Sequence, residues 1–170
     1  TSLTEPEISF DKALALLKSY LLYHLFTVTE PIVFQEIQLD EQRRYIIEED
    51  VVITTKEGAE IALITARKKN AKSYPAVLCF SIYADVSNRS DALLAASKGY
   101  VGVFATSRGK GLSNSIIEPY KHEYKDVYEV IDWISKQEWS NGKVGMYGGS
   151  YVGFAQWASM KAEVHPALKT

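Results

Sequence analysis

The stretch "KVGMYGGSYVGFAQW", residues 143 to 157, limits what this chain can fold into more than any other. A short apolar run enters a cluster of glycines, a serine stands at its end, and a helix-forming run leaves it. A strand-to-helix turn made in so few residues fits an α/β architecture, with the strand inside a sheet and the helix against its face. Ser150 then has two readings. It is a nucleophile displayed on a tight, strained turn, with Gly148, Gly149 and Gly153 giving room, or it is a small residue serving loop geometry and capping. In the first reading the Tyr151 amide, at the helix N-terminus, can stabilise an oxyanion.

The rest of the chain repeats the alternation. "IIEEDVVITT" and "EIALITAR" flank "KEGA", where Gly58 suits the turn of an antiparallel hairpin. "YPAVLCFSIY", "YVGVFATS" and "KVGMYG" are apolar, β-rich runs of the kind buried on both faces of a sheet. Between them, "RSDALLAASKGY" reads as a helix ending at Gly99. "HEYKDVYEVIDWISKQEW" reads as a second helix, with Tyr124, Val127, Tyr128, Ile131 and Ile134 on one face. The expected fold class is therefore α/β, a mostly parallel sheet with an antiparallel hairpin leading into it, over residues 46–170.

Residues 1–45 differ in rhythm. Thr4 with Glu7 offers a helix cap, and Leu14, Leu17, Leu21 and Leu25 fall on one face at helical spacing. The polar, mixed residues 27–45 read as a connecting segment. "ALALLKSYLLYHLF", with Lys18 and His24 inside it, is too short and too interrupted to span a bilayer.

Composition enters mainly by exclusion. The net charge is −2 and no basic block occurs, so nothing calls for a nucleic-acid partner. The single cysteine, Cys79, lies inside "PAVLCF" and reads as a core residue; it permits no internal disulfide and leaves the redox compartment open. The scattered histidines form no metal constellation, no phosphate-loop pattern is present, and no cofactor is expected.

The string "WSNGKVGMYGGSYVGFAQW", preceded by "DWISKQ", resembles the cocaine-esterase-like hydrolases of the CocE/NonD group. These are similar in turn to the Xaa-Pro dipeptidyl-peptidases, the α-amino-acid ester hydrolases and the glutaryl-cephalosporin acylases. Their elbow is G-x-S-Y-x-G, matched by Gly148, Ser150, Tyr151 and Gly153. The likeness extends from about Val51, through "KEG", "SIYAD" and "SRGKGLS", to the end of the chain. It implies an α/β-hydrolase fold, with Ser150 as the acyl-accepting nucleophile and the Tyr151 amide as one oxyanion donor. It also implies that Tyr83, matching the tyrosine of the family's N-P-Y turn, gives a second donor through its phenol. Two departures stand out: "ATSRG" replaces Q-D-x-R-G, with Ala105 and Thr106 at the changed positions, and "SIY" replaces N-P-Y.

In α/β-hydrolases the triad runs serine, acid, histidine along the chain. After Ser150 this sequence offers only Glu163 and His165, at the far end of the elbow helix, and a helix carries its end away at about 1.5 Å per residue. His165 in "HPALK" is expected to be structural, and His122 with Glu123 to open the long helix on a solvated face. The acid and histidine are thus expected beyond residue 170, as in the N-terminal part of a larger hydrolase. The resemblance implies hydrolysis of a small ester, an amide or acyl side chain, or an Xaa-Pro peptide. A non-catalytic module of the same fold, used for binding or assembly, remains the alternative. In either case the sheet edge left open is expected to need the remaining hydrolase or an oligomer partner to cover it.

Overall fold

The computed structural model describes residues 7–85 and 87–169. It divides into two compact units, Thr1–Arg43 and Arg44–Thr170.

Helix α1, Phe10–Arg44, extends for 35 residues and continues through the segment read above as a connector. The reason is local. "EIQLDEQRR" is rich in good helix formers. Thr27 and Thr29 turn their hydroxyls back onto the carbonyls of Tyr23 and Leu25, at 2.7 Å each. Pro31 is accommodated inside the helix. Apolar residues lie all round α1, as the run Tyr20–Tyr23 shows, rather than on the single stripe expected. At its start, Ser9 Oγ accepts the Lys12 N–H at 3.4 Å. The Thr4 cap lies outside the described residues. Among those residues, no helix is long and apolar enough to cross a membrane.

The second unit holds β1 (Tyr45–Thr54), β2 (Glu60–Lys68), β3 (Tyr74–Ser81), α2 (Ser87–Ser97), β4 (Val101–Thr106), α3 (Glu123–Ser135), β5 (Ser140–Met146) and α4 (Ser150–Ser159). The strands form one mixed sheet in the order β1-β2-β4-β3-β5. The hairpin β1–β2 and the contact β2–β4 are antiparallel, whereas β3 pairs parallel with both β4 and β5. Gly58 takes φ 81° at the hairpin turn, as its position in "KEGA" predicts. Beyond β5, Leu168 pairs parallel with Val144, flanked by hydrogen bonds from Val144 N–H to Ala167 O (2.8 Å) and from Lys169 N–H to Val144 O (2.9 Å).

Period-two alternation sends each strand's side chains to two different layers. Ile61 and Leu63 of β2, Ala76, Leu78 and Phe80 of β3, and Val101, Val103 and Ala105 of β4 meet Val127, Val130, Ile131 and Ile134 of α3 and Ala155 of α4 in the main core. On the opposite face, Tyr45 and Ala66 pack against Ala92 and Ala96 of α2. There β4 and α2 approach so closely that a Cβ on Gly102 would lie 1.9 Å from the Ala92 carbonyl oxygen. Cys79 is buried in the sheet, and burial pushes its thiol up to about 11, so it stays protonated and inert.

The buried stripe of α3 is Glu123, Asp126, Val127, Val130, Ile131 and Ile134, at spacings of three and four. It is rotated from the expected face, leaving Tyr124 and Tyr128 half-buried and drawing two carboxylates inward. Glu123 is only 4% exposed, which corrects its placement on a solvated face. Ile131 sits at the centre of this stripe and is fully buried. Ile131→Val should therefore cost about 1 kcal/mol in urea unfolding, the usual cost of one buried methylene group.

Candidate active site

Strands β3, β4 and β5 end side by side, and in a parallel sheet that end is where reactive groups gather. The loops leaving them carry Tyr83 after β3, Ser107 after β4, and Ser150 with Tyr151 after β5.

The turn after β5 is tight. Gly148 takes φ 124°, and a Cβ there would lie 2.6 Å from Val152 Cγ1. Position 148 thus excludes every side chain. Gly149 is the helix N-cap in an extended conformation, with nothing within 4 Å of where a Cβ would sit, and at Gly153 a Cβ would make only a 3.5 Å contact. Of the three glycines expected to make room, Gly148 alone is sterically demanded. Val152, which departs from the strict G-x-S-x-G pattern, is the residue that fills the space left by the missing Gly148 side chain. Gln156 Nε2 ties the turn to its helix by donating to Gly148 O at 2.9 Å.

Ser150 opens α4 with φ 54° and is exposed. A non-glycine residue in the left-handed region carries strain of roughly 1–3 kcal/mol, which persists only where the surroundings enforce it. Tyr151 follows, with its backbone amide in the first turn of α4 and its side chain 3% exposed. Its phenol donates to Glu123 Oε1 and lies 3.1 Å from Ser107 Oγ. Burial, and then the bond to Glu123, raises this phenol well above its ordinary value, so it remains a donor. Tyr83 is exposed, and its ring meets the Tyr151 ring edge-on with centroids 6.3 Å apart. Its turn lacks the family's proline but is fixed otherwise: Ser81 Oγ accepts the Tyr83 N–H at 3.0 Å. Ser150, Tyr151 and Tyr83 thus belong to one neighbourhood.

Three other groups escaped the sequence reading. Ser107 and Glu123 hold the Tyr151 phenol. Tyr120, at φ 66°, packs its ring against Tyr151 (5.1 Å) and Phe154 (4.9 Å). The signal for Glu123 was its spacing: four residues before Val127, it falls on the buried stripe.

The loop after β4 is anchored by Arg108, whose Nε donates to Asp126 Oδ2 at 2.8 Å while Nη2 binds Oδ1. The altered Thr106 is buried, its Oγ1 3.3 Å from Ala62 O and 3.2 Å from Lys110 O. The substitution in "ATSRG" therefore leaves an internally bonded loop.

The described residues place no histidine in hydrogen-bond contact with Ser150. His24 stacks on Tyr20, and His122 Nε2 lies 2.8 Å from Glu118 Oε2. His165 is buried, its Nδ1 accepting the Ala167 N–H at 3.1 Å and its ring edge-on to Tyr128. Among the described residues, no group of three or more His, Cys, Asp or Glu gathers as a metal set.

A mixed sheet between helical layers, with a strained serine between strand and helix, defines the α/β-hydrolase class, and comparison with known proteins agrees. Among solved structures, an α-amino acid ester hydrolase superposes with a TM-score of 0.63 at 30% identity, over 75% of this chain and 25% of that one. A CocE/NonD family hydrolase from Staphylococcus aureus gives 0.62 at 25% identity, over 74% and 26% of the two chains. The cocaine esterase of Rhodococcus sp. (strain MB1 Bresler) is 27% identical over 119 residues, 66% of this chain and 21% of the esterase. The X-Pro dipeptidyl-peptidase (S15 family) model matches residues 58–170. The chain belongs to that family, as a CocE/NonD-like relative of the Xaa-Pro peptidases. It spans about a fifth of the esterase it resembles.

Proposed function

We propose that the protein is a serine hydrolase that cleaves ester or amide bonds through an acyl-enzyme on Ser150. The observation that carries this reading is the left-handed Ser150, exposed at the mouth of the strand–helix turn, at φ 54°. Its Oγ attacks the substrate carbonyl, forming the Oγ–C bond while a base takes the hydroxyl proton. The Tyr151 amide and the Tyr83 phenol donate to the oxyanion that develops. The tetrahedral intermediate collapses, the alcohol or amine leaves with a proton, and water repeats the sequence to release the acid.

The base and its acid are assigned to residues outside these 170. That assignment is supported by the engagement of His122 and His165 elsewhere and by the fraction of the esterase that this chain spans. The same proposal gives β5 a further neighbouring strand, begun at Leu168, to cover its outer edge. Substrates in this reading are small esters, amides or short peptides; no nucleic acid and no cofactor enter it.

The test is intact mass and peptide mapping after treatment with a fluorophosphonate. One adduct on the peptide that carries Ser150, lost in Ser150→Ala, is the expected result. An absent adduct in the 170-residue chain together with an adduct in a longer product of the same gene would place the base outside this sequence. Absence from both would leave a non-catalytic module.

A further inference from the structure

Among the described residues, Ser150 and Tyr120 are the two non-glycine positions with positive φ, at 54° and 66°. Both are attached to one side chain. Glu123 Oε1 accepts the Tyr120 backbone N–H at 3.2 Å, and it also accepts the phenol of Tyr151, the residue that follows Ser150. Strain of this kind survives only where neighbouring contacts over-determine the backbone. Glu123 is buried, at the first helical position of α3, where the helix dipole favours an acid. Helix α3 is itself locked to the sheet by Val127, Val130, Ile131 and Ile134. The carboxylate is thus a fixed point, and two strained turns hang from it.

We propose that Glu123 is a positioning residue, which holds the Ser150 turn in its left-handed conformation through the Tyr151 phenol. The Tyr151 amide and side chain share one residue. Anchoring the phenol between Glu123 and Ser107 therefore fixes the direction of the amide as well as the backbone of the serine before it. Gly148 leaves room for the turn but cannot enforce it, because a glycine backbone is permissive. Among the described residues nothing hydrogen-bonds the buried Glu123 Oε2, a cost in stability that the contacts of Oε1 have to offset. This role rests on the catalytic reading of Ser150 and extends it: the elbow is set from α3, not only from its own strand and helix.

The test is a double-substitution cycle with Glu123→Leu and Tyr151→Phe. It is read by the rate of Ser150 phosphonylation and by kcat and KM on p-nitrophenyl acetate, in the longest form of the protein that labels. Each single variant should lose about 100-fold in labelling rate and in kcat, the scale of a small misplacement of reacting groups. KM should stay within about threefold, because ground-state binding is not what is removed. The double variant should be no slower than the slower single one, because both changes cut one chain of contacts. Should Glu123→Leu fail to fold, Tyr151→Phe, which keeps the ring and deletes one hydroxyl, decides alone. Labelling of Tyr151→Phe at the wild-type rate, or losses that multiply in the double variant, would overturn the positioning role while leaving the catalytic reading intact. A wild-type protein that never labels at Ser150 would defeat both.

Discussion

Replacing Ser150 by glycine is expected to destroy activity and to raise stability together. With Ser150 as the proposed nucleophile, its loss should lower kcat on an ester substrate at least about 10⁴-fold and remove the phosphonate adduct. Stability should move the other way. Serine at φ 54° carries left-handed strain that glycine does not feel. Glycine gives part of this back by gaining freedom in the unfolded chain, so the net gain is about 0.5–1 kcal/mol, or roughly 2 °C in Tm for a domain of this size. The serine is exposed and its hydroxyl makes no hydrogen bond among the described residues, so its removal forfeits no contact that would offset the gain. Ser150→Ala separates the two effects: it deletes the same hydroxyl but keeps a Cβ in the same strained region, and should leave Tm nearly unchanged. A Ser150→Gly protein less stable than its parent would mean that the turn is not strained in solution. The two expected results together would make the turn a case of the usual exchange between activity and stability.

How much of this was legible in the sequence depends on which force set each feature. Strands and helices in residues 46–170 follow from burial, and burial writes itself as apolar runs between turn signals: "EIALITAR" after the Gly58 turn and the unbroken run "YVGVFAT" both became buried strands. The turn was legible because position 148, at φ 124° and against Val152, admits only glycine. The extent of α1 was not, because "TVTEPIVF" contains β-branched residues and a proline. The helix formers after Pro31, and hydroxyls that bond back to the helix backbone, outweigh them. Glu123 was read as solvated because acids usually are, and Asp126 drew no reading at all. Their burial depends on partners far away in sequence, Tyr151 for one and Arg108 for the other, and local pattern does not announce such partners. Spacing alone placed them on the stripe that α3 buries. Only the contacts across the fold explain why burial there is tolerated.

The Arg108–Asp126 pair gives the sharpest test of that last point. Asp126 is 2% exposed in its side chain and Arg108 is 11% exposed. Arg108 holds both carboxylate oxygens, and Asp126 in turn raises the guanidinium further above its ordinary range. Burial lifts the Asp126 carboxyl above the usual carboxylate range, and the guanidinium opposes that lift. Arg108→Met keeps most of the volume but removes the opposition, stranding a buried carboxylate at a cost of about 3 kcal/mol near neutral pH. The sign of the pH dependence follows. With burial unopposed, the folded carboxyl holds its proton more tightly than the unfolded one does. The penalty is therefore absent below the unfolded value, about pH 4, and grows as pH rises through the folded value. The stability gap between parent and Arg108→Met should close as the pH is lowered towards 4, while Arg108→Met combined with Asp126→Asn should show a smaller gap with little pH dependence. Three neighbours carry charge of their own. Glu57 loses its 3.7 Å contact with Arg108 in both the single and the double variant while keeping Lys125, so its share is common to those two and drops out when they are compared. Glu123 beside Asp126, and His122 paired with Glu118, are unchanged throughout. A gap that stays constant with pH would show that Arg108 acts by packing its stem, not by neutralising Asp126. If the gap closes as expected, the loop that presents Ser107 to Tyr151 is held by charge at its base, in addition to the buried hydrogen bonds of Thr106.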